Sequence, residues 1–220
     1  MFKDRKEAGN FLAKELTHYK KDHPVVLAIP RGGVEVGYQI ATYLNCDFDV
    51  VISRKLGYLN NPEIAFGALA EDGSLYLDSR SKMRLSKMEI EEVIAKEEKE
   101  IERRVRIYRN NKPMISLKDR TVILVDDGIA TGSTLFASIE LCKKQDPEKI
   151  VIAVPVCGPD FLNRLIPKVD DVIVLQAPEK FHAVSQVYGE FMPLGDEKVL
   201  KILNKWQTRH KLINSLNQLM

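Results

Sequence analysis

The sequence predicts an α/β fold, a doubly wound and mainly parallel sheet interrupted by an inserted hairpin and one long helix. Three observations predict it. Apolar runs without polar alternation, at Val25–Ile29, Val122–Val125, Ile150–Val156 and Val172–Leu175, read as strands buried on both faces. Segments of helical spacing separate them, and that alternation argues for a parallel sheet whose ligand lies beyond the strand C-termini. At 220 residues the chain is long enough to bury such a core as a single domain. We divide it into a core of about 22–180, an insertion of about 57–112 and a C-terminal part of about 177–220.

Taken in order, Asp4–Lys20 reads as an amphipathic helix capped by Asp4, with Ala8, Phe11, Leu12, Leu16 and Tyr19 on one side. His18 and His23 lack a Cys or acidic partner at metal spacing and read as solvated. Val25–Ile29 runs into Pro30-Arg31-Gly32-Gly33 before helical periodicity resumes at Val34–Leu44. Pro30 stiffens the exit, Gly32 and Gly33 bare the backbone and Arg31 supplies a charge, so the loop is either a plain turn or a seat for an anion. Asp49–Ser53 gives a third strand, and Arg54-Lys55 at its end admits two readings, a surface turn or an anionic ligand.

Gly57–Glu63 is rich in turn residues and suits a mobile flap. Ile64–Ala70 and Leu75–Leu77, split by Glu71-Asp72-Gly73-Ser74, form a predicted hairpin. Ser81–Tyr108 reads as one long helix with Met83, Ile90, Val93, Ile94, Ile101, Val105 and Tyr108 as its stripe. Its first half is Glu-rich and its second half Arg-rich, which suits the helix dipole; pairs such as Glu100/Arg104 add roughly 0.2–0.5 kcal/mol each. Beyond Ile150–Val156 come a short helix through Leu165, the strand Val172–Leu175 and the segment Ala177–Val184. A helical tail from Glu197 offers Leu200, Leu203, Trp206 and Leu212 for packing.

The most informative stretch is Val122-Ile123-Leu124-Val125-Asp126-Asp127-Gly128-Ile129-Ala130-Thr131-Gly132-Ser133-Thr134. A buried strand ends in two carboxylates, glycines permit a tight and left-handed path, and Ser133-Thr134 opens a helix through Leu135, Phe136, Ile139 and Leu141. Such a loop aims backbone N–H groups and a helix dipole at one point, so it receives a phosphate without needing an arginine. Hydroxyls of Thr131, Ser133 and Thr134 add to that cradle. Asp126 and Asp127 repel a phosphate, yet stand where the hydroxyls of a sugar bearing it would fall. A Walker loop is excluded by the missing Gly-Lys pair and a dinucleotide fingerprint by the missing G-x-G-x-x-G.

This stretch resembles the phosphoribosyl-diphosphate (PRPP) motif of type I phosphoribosyltransferases. The resemblance spans roughly Val25–Val184. With Arg54-Lys55-Leu56-Gly57, the run from Pro62 to Gly73 and the helical insertion, the chain looks like the branch of that family whose acceptor is unassigned. It implies a type I phosphoribosyltransferase-like fold with a small C-terminal hood. The implied activity is transfer of the 5-phosphoribosyl group from PRPP to a nitrogen acceptor, with nucleobases foremost and diphosphate released. PRPP would be bound by Arg31, Gly32, Gly33, Asp126, Asp127, Gly128, Ala130, Thr131, Gly132, Ser133 and Thr134. Arg54 and Lys55 would serve catalysis at the base of a flexible lid over 57–63. Mg²⁺ would ride on the diphosphate and ribose hydroxyls, with Asp126 and Asp127 nearby. The Pro178-x-x-Phe181 arrangement resembles a base-stacking element, which makes Phe181 and its neighbour His182 acceptor-binding candidates; by default Phe181 is a core or rim aromatic. Relatives acting on 6-oxopurines usually carry an aspartate two places before the loop glycine, where this chain has Ala130.

Composition bounds the alternatives. With 33 basic and 31 acidic residues, net +2, nothing points to a nucleic-acid or membrane surface. Cys46, Cys142 and Cys157 read as reduced core thiols. No signal peptide or membrane span is evident, so a cytoplasmic protein is expected, and because many relatives are dimers, a homodimer. Two rival classes fit the same motif: a non-catalytic, PRPP-sensing regulatory protein, and a hydrolase releasing phosphate or diphosphate.

Overall fold

Residues 1–78 and 85–217 are described by the structure, a computed structural model. The elements run α1 (Arg5–Glu15), β1 (Val25–Ala28), α2 (Gly32–Leu44), β2 (Asp47–Val50), β3 (Ser53–Tyr58), β4 (Asn61–Ala70), β5 (Leu75–Leu77) and α3 (Lys87–Arg109). They continue as β6 (Thr121–Val125), α4 (Ser133–Lys143), β7 (Lys149–Val156), α5 (Pro159–Leu165), β8 (Asp171–Gln176) and α6 (Asp196–Asn217). Five strands form one parallel sheet in the order β2-β1-β6-β7-β8, as the unbroken apolar runs predict.

Each strand has two apolar faces, so each face of the sheet needs a cover. Val26, Ile123 and Val151 enter one core with Leu12 of α1, Ile40 of α2 and Trp206 of α6. Leu27, Leu124 and Ile152 enter the other with Phe136 and Ile139 of α4. That is the doubly wound arrangement. The sheet order reverses between β1 and β6. Chain leaving β1 passes to the β2 side, chain leaving β6 passes to the β7 side, and a crevice opens where they part.

The insertion is a separate antiparallel sheet, β3-β4-β5, with α3 behind it. The expected strand Asp49–Ser53 is divided here. β2 stops at Val50, Val51 N–H donates to Ala28 O (3.1 Å) and Ile52 N–H donates to Glu71 Oε1 (2.9 Å), which turns the chain into the second sheet. Arg54 and Lys55 therefore lie inside β3 and not at the end of a strand of the parallel sheet. Gly57–Glu63 is correspondingly no irregular loop but the end of the β3–β4 hairpin. A side chain at Gly57 would meet Pro62 O at 2.4 Å, which is why glycine stands there. The β4–β5 hairpin forms as expected.

Helix α3 opens on a capping box made by Ser86 and Glu89, and buries Val93, Ile101 and Tyr108. The predicted start at Ser81 and the stripe residue Met83 lie outside the described residues. Two packing expectations fail. Phe11 is 45% exposed because the buried face of α1 runs through Ala8, Gly9, Leu12 and Ala13; Leu212 is 61% exposed beyond the part of α6 that meets the core.

Glu100 accepts from Arg103 Nε (2.7 Å) and Arg104 Nε (2.8 Å). The Arg103 bond, against the upward pull of burial, holds its carboxyl at about 2 instead of the ordinary 4.5. A carboxylate lowered in the folded state stabilises the fold above its ordinary value, and that contribution is lost as pH falls through its folded value. Thermal melts of wild type and Glu100→Gln should therefore differ at pH 7 and converge between pH 4.5 and about 2. A gap independent of pH would show that Glu100 contributes by packing alone.

Candidate active site

Parallel pairing sets Ala28 beside Val125, so the loops that leave β1 and β6 must run together. Ile29 N–H donates to Val125 O (2.9 Å). A Cβ on Gly32 would stand 1.9 Å from Asp127 Oδ2, and one on Gly33 would stand 2.7 Å from Val125 O. The paired glycines are thus what lets the first loop pass the two acids. Arg31, the N-cap residue before α2, follows a cis peptide bond from Pro30 and directs Nη1 toward Asp196 Oδ1 (3.7 Å). Asp196 also accepts from Arg103 Nη1 (2.9 Å) and from the Tyr108 hydroxyl.

The acids themselves are partly buried. Asp127 N–H donates to Asp126 Oδ1 (2.8 Å), and Arg5 Nε donates to Asp127 Oδ2 (2.7 Å). Burial, then the adjacent Asp127 charge, pushes the Asp126 carboxyl well above the usual range. Burial likewise raises Asp127, opposed by the Arg5 charge and its hydrogen bond. Two carboxylates at the switch point are thus held together, with the Arg5 cation bonded to Asp127.

The following loop is anchored by Ile129, whose N–H donates to Val156 O (2.9 Å), and it leaves Ala130 and Thr131 exposed. Gly132 adopts φ +68°, the left-handed conformation, and starts α4 with no side-chain cap. The first N–H groups of a helix have no intrahelical acceptor, so those of α4 remain available to an anion. Ala130, Thr131 and Ser133 line a cavity of about 380 Å³ together with Phe181, Phe161 and Tyr76. The Phe161 ring fills the space where a Gly132 side chain would be, 1.9 Å from such a Cβ. Arg164 Nη2 donates to the Tyr76 hydroxyl (2.7 Å) and its guanidinium lies over Phe136 and Phe161.

The predicted site residues fall into three groups, with His182 apart from all of them. Gly32, Gly33, Asp126 and Asp127 are in mutual contact, with Arg31 beside them. Ala130, Thr131, Ser133 and Phe181 share the cavity, with Gly128, Gly132 and Thr134 in the same loop and helix start. Arg54 and Lys55 are elsewhere: both line a cavity of about 270 Å³ between β3 and α3, and Arg54 Nε donates to Glu97 Oε2 (2.7 Å). His182 is exposed, and its N–H donates to Gln186 Oε1 (2.6 Å). Arg5 and Tyr188, whose hydroxyl donates to Asp127 O (2.7 Å), are site neighbours that sequence reasoning missed. No local pattern links Arg5 to an acid 122 positions away. Only the finished fold, in which residues 2–3 pair with 187–190, brings them together.

Residues 3–188 match the sequence model of the phosphoribosyl transferase domain. The chain belongs to that family. A Mycobacterium tuberculosis (strain CDC 1551 / Oshkosh) protein provisionally named a phosphoribosyl transferase is 37% identical over 207 residues, covering 93% of this chain and 47% of its own. This phosphoribosyl transferase domain thus spans about half the length of the curated relatives it matches. The crystal structure of TT1426 from Thermus thermophilus is similar with a TM-score of 0.79 and 37% identity, over 94% of this chain and 99% of that one. A weaker likeness, TM-score 0.49 at 21% identity over 87% and 93% of the two chains, is to a purine phosphoribosyltransferase from Pyrococcus horikoshii Ot3.

Gly132→Ala tests the phosphate-loop geometry. It places a side chain in the left-handed region and against the Phe161 ring, which together should destabilise the fold by on the order of 3 kcal/mol. Urea unfolding measures this, and a loss below about 1 kcal/mol would mean that the loop relaxes without strain.

Proposed function

We propose that the chain transfers the 5-phosphoribosyl group of PRPP to a nitrogen nucleophile, with a nucleobase as the acceptor and diphosphate as the leaving group. The observation that carries this is the meeting of two loops at the switch point: an uncapped helix start with left-handed Gly132 beside a buried acid pair packed on Gly32 and Gly33. An anion and a polyol are wanted at adjacent places, and a sugar phosphate offers both.

In this reading the 5-phosphate lies on Ala130–Thr134, and Asp126 and Asp127 accept from the ribose hydroxyls. The bare backbone of Gly32–Gly33 and the Arg31 charge receive the diphosphate. Carbon 1 becomes positively charged as diphosphate departs, so the rate comes from fixing the ring, the leaving group and the acceptor in line. No nucleophilic side chain is required. Among the described residues no cluster of three His, Cys, Asp or Glu could hold a metal, while two carboxylate residues beside a phosphorylated ligand suit Mg²⁺ that arrives with PRPP. When bound, Mg²⁺ would offset the diphosphate charge, and Asp126 and Asp127 would meet it on the ribose side. Arg54 and Lys55 would reach the diphosphate only by movement of the β3–β4 hairpin, and Arg54 must first leave Glu97.

The acceptor sits in the cavity that joins the phosphate loop to Phe181, whose ring supplies a stacking face. Ala130 on that wall cannot exchange a proton, which disfavours hypoxanthine and guanine. General acid–base assistance is worth roughly 10²–10⁴-fold, so the preference is measurable.

Calorimetry should detect PRPP binding that requires Mg²⁺ and disappears when Asp126→Asn and Asp127→Asn are combined. Undetectable binding by folded wild type would end the proposal. In a panel of bases scored for diphosphate release, hypoxanthine and guanine should be poor acceptors, and Phe181→Ala should impair acceptor use at unchanged PRPP affinity. Efficient use of either 6-oxopurine would remove the role given to Ala130.

A further inference from the structure

The acid pair follows strand β6, yet the groups that hold Asp127 come from the start of α1 and from the segment 187–192 that precedes α6. Arg5 is 6% exposed. Its Nε donates to Asp127 Oδ2 (2.7 Å), its Nη1 to Met192 O (3.0 Å), and its guanidinium stacks on Phe191 at 3.8 Å from the ring centroid. The Tyr188 hydroxyl donates to Asp127 O (2.7 Å), and its ring stacks on Phe191 with centroids 5.0 Å apart. Backbone bonds lace these two segments together: Phe2 N–H to Val187 O (2.6 Å), Gly189 N–H to Phe2 O (2.7 Å) and Glu190 N–H to Lys3 O (2.8 Å).

We propose that Arg5 is a positioning residue for Asp127 and that the first turn of α1, joined to residues 187–192, forms one holder for this ribose-side acid. The inference rests on the PRPP reading of the site. Arg5 takes Oδ2, Gly32 packs against the same carboxylate, and the carboxyl, paired on its other side with Asp126, is held in place to accept a ribose hydroxyl. Tyr188 fixes the carbonyl of the same residue, so both ends of Asp127 are held before ligand arrives. A planar fork suits this place better than an ammonium. One face stacks on an aromatic ring while two N–H groups point to different acceptors, an arrangement a lysine cannot reproduce.

The test compares two probes in calorimetry with Mg²⁺ present: PRPP, and inorganic diphosphate, which lacks the ribose. Arg5→Ala should weaken PRPP about tenfold or more, as expected when a charged hydrogen bond that orients a ligand group is lost, and leave diphosphate affinity unchanged. Arg5→Lys should fall between the two. Tyr188→Phe, which removes one hydroxyl, should give the same pattern at smaller amplitude and guards against a misfolded Arg5 variant. Equal PRPP affinity in wild type, Arg5→Ala and Tyr188→Phe overturns the inference, as does a parallel loss for PRPP and diphosphate, the signature of a merely structural role. If wild type itself fails to bind PRPP, the transferase reading and this inference fall together; if wild type binds and the variants match it, only the inference falls.

Discussion

The ligand end of this molecule depends on the pairing of β1 with β6. Because Ala28 lies beside Val125, the loops that follow are forced into contact, and every later feature is a response to that proximity. A side chain at position 32 would overlap Asp127, and one at position 33 would press on the β6 backbone. Both positions are glycine, and the acid pair fits against them. The reversal of strand order at the same pair opens the crevice that a ligand needs. One backbone register thus decides sequence at 32 and 33, where the acids stand and where a ligand can enter.

Two acids placed there would repel one another in a partly buried setting, and the fold answers with Arg5. Burial raises both carboxyls, and the guanidinium works against it at Asp127. That cation is carried on the first turn of α1 and held by Phe191 and Met192 O, so the N-terminal segment and the stretch before α6 close together on the acid pair. The N-terminal helix thereby has two duties, covering one face of the sheet through Leu12 and Ala13 and presenting Arg5 to the acid pair.

What was legible in the sequence follows from how local the cause is. The strands of the parallel sheet were readable because burial on both faces leaves an unbroken apolar run, and the phosphate loop because its glycines, hydroxyls and helix start are contiguous. Arg54 and Lys55 read as the end of a strand because Asp49–Ser53 looks like one strand. The bonds that divide it, from Val51 to Ala28 and from Ile52 to Glu71, join residues far apart in the chain. Gly57–Glu63 reads as loop by composition, yet cross-strand pairing with an antiparallel neighbour makes it the end of a hairpin. Arg5, Tyr188 and Asp196 had no local signature, since each acts on a partner brought to it by the finished fold.

The central claim is that this crevice holds a sugar phosphate in one orientation. A crystal structure of the protein grown with PRPP and Mg²⁺ addresses it most directly. The account predicts the 5-phosphate on the backbone of Ala130–Thr134, ribose hydroxyls on Asp126 and Asp127, and diphosphate against Arg31–Gly33. A phosphate bound elsewhere, or a ribose turned away from the acid pair, would contradict it.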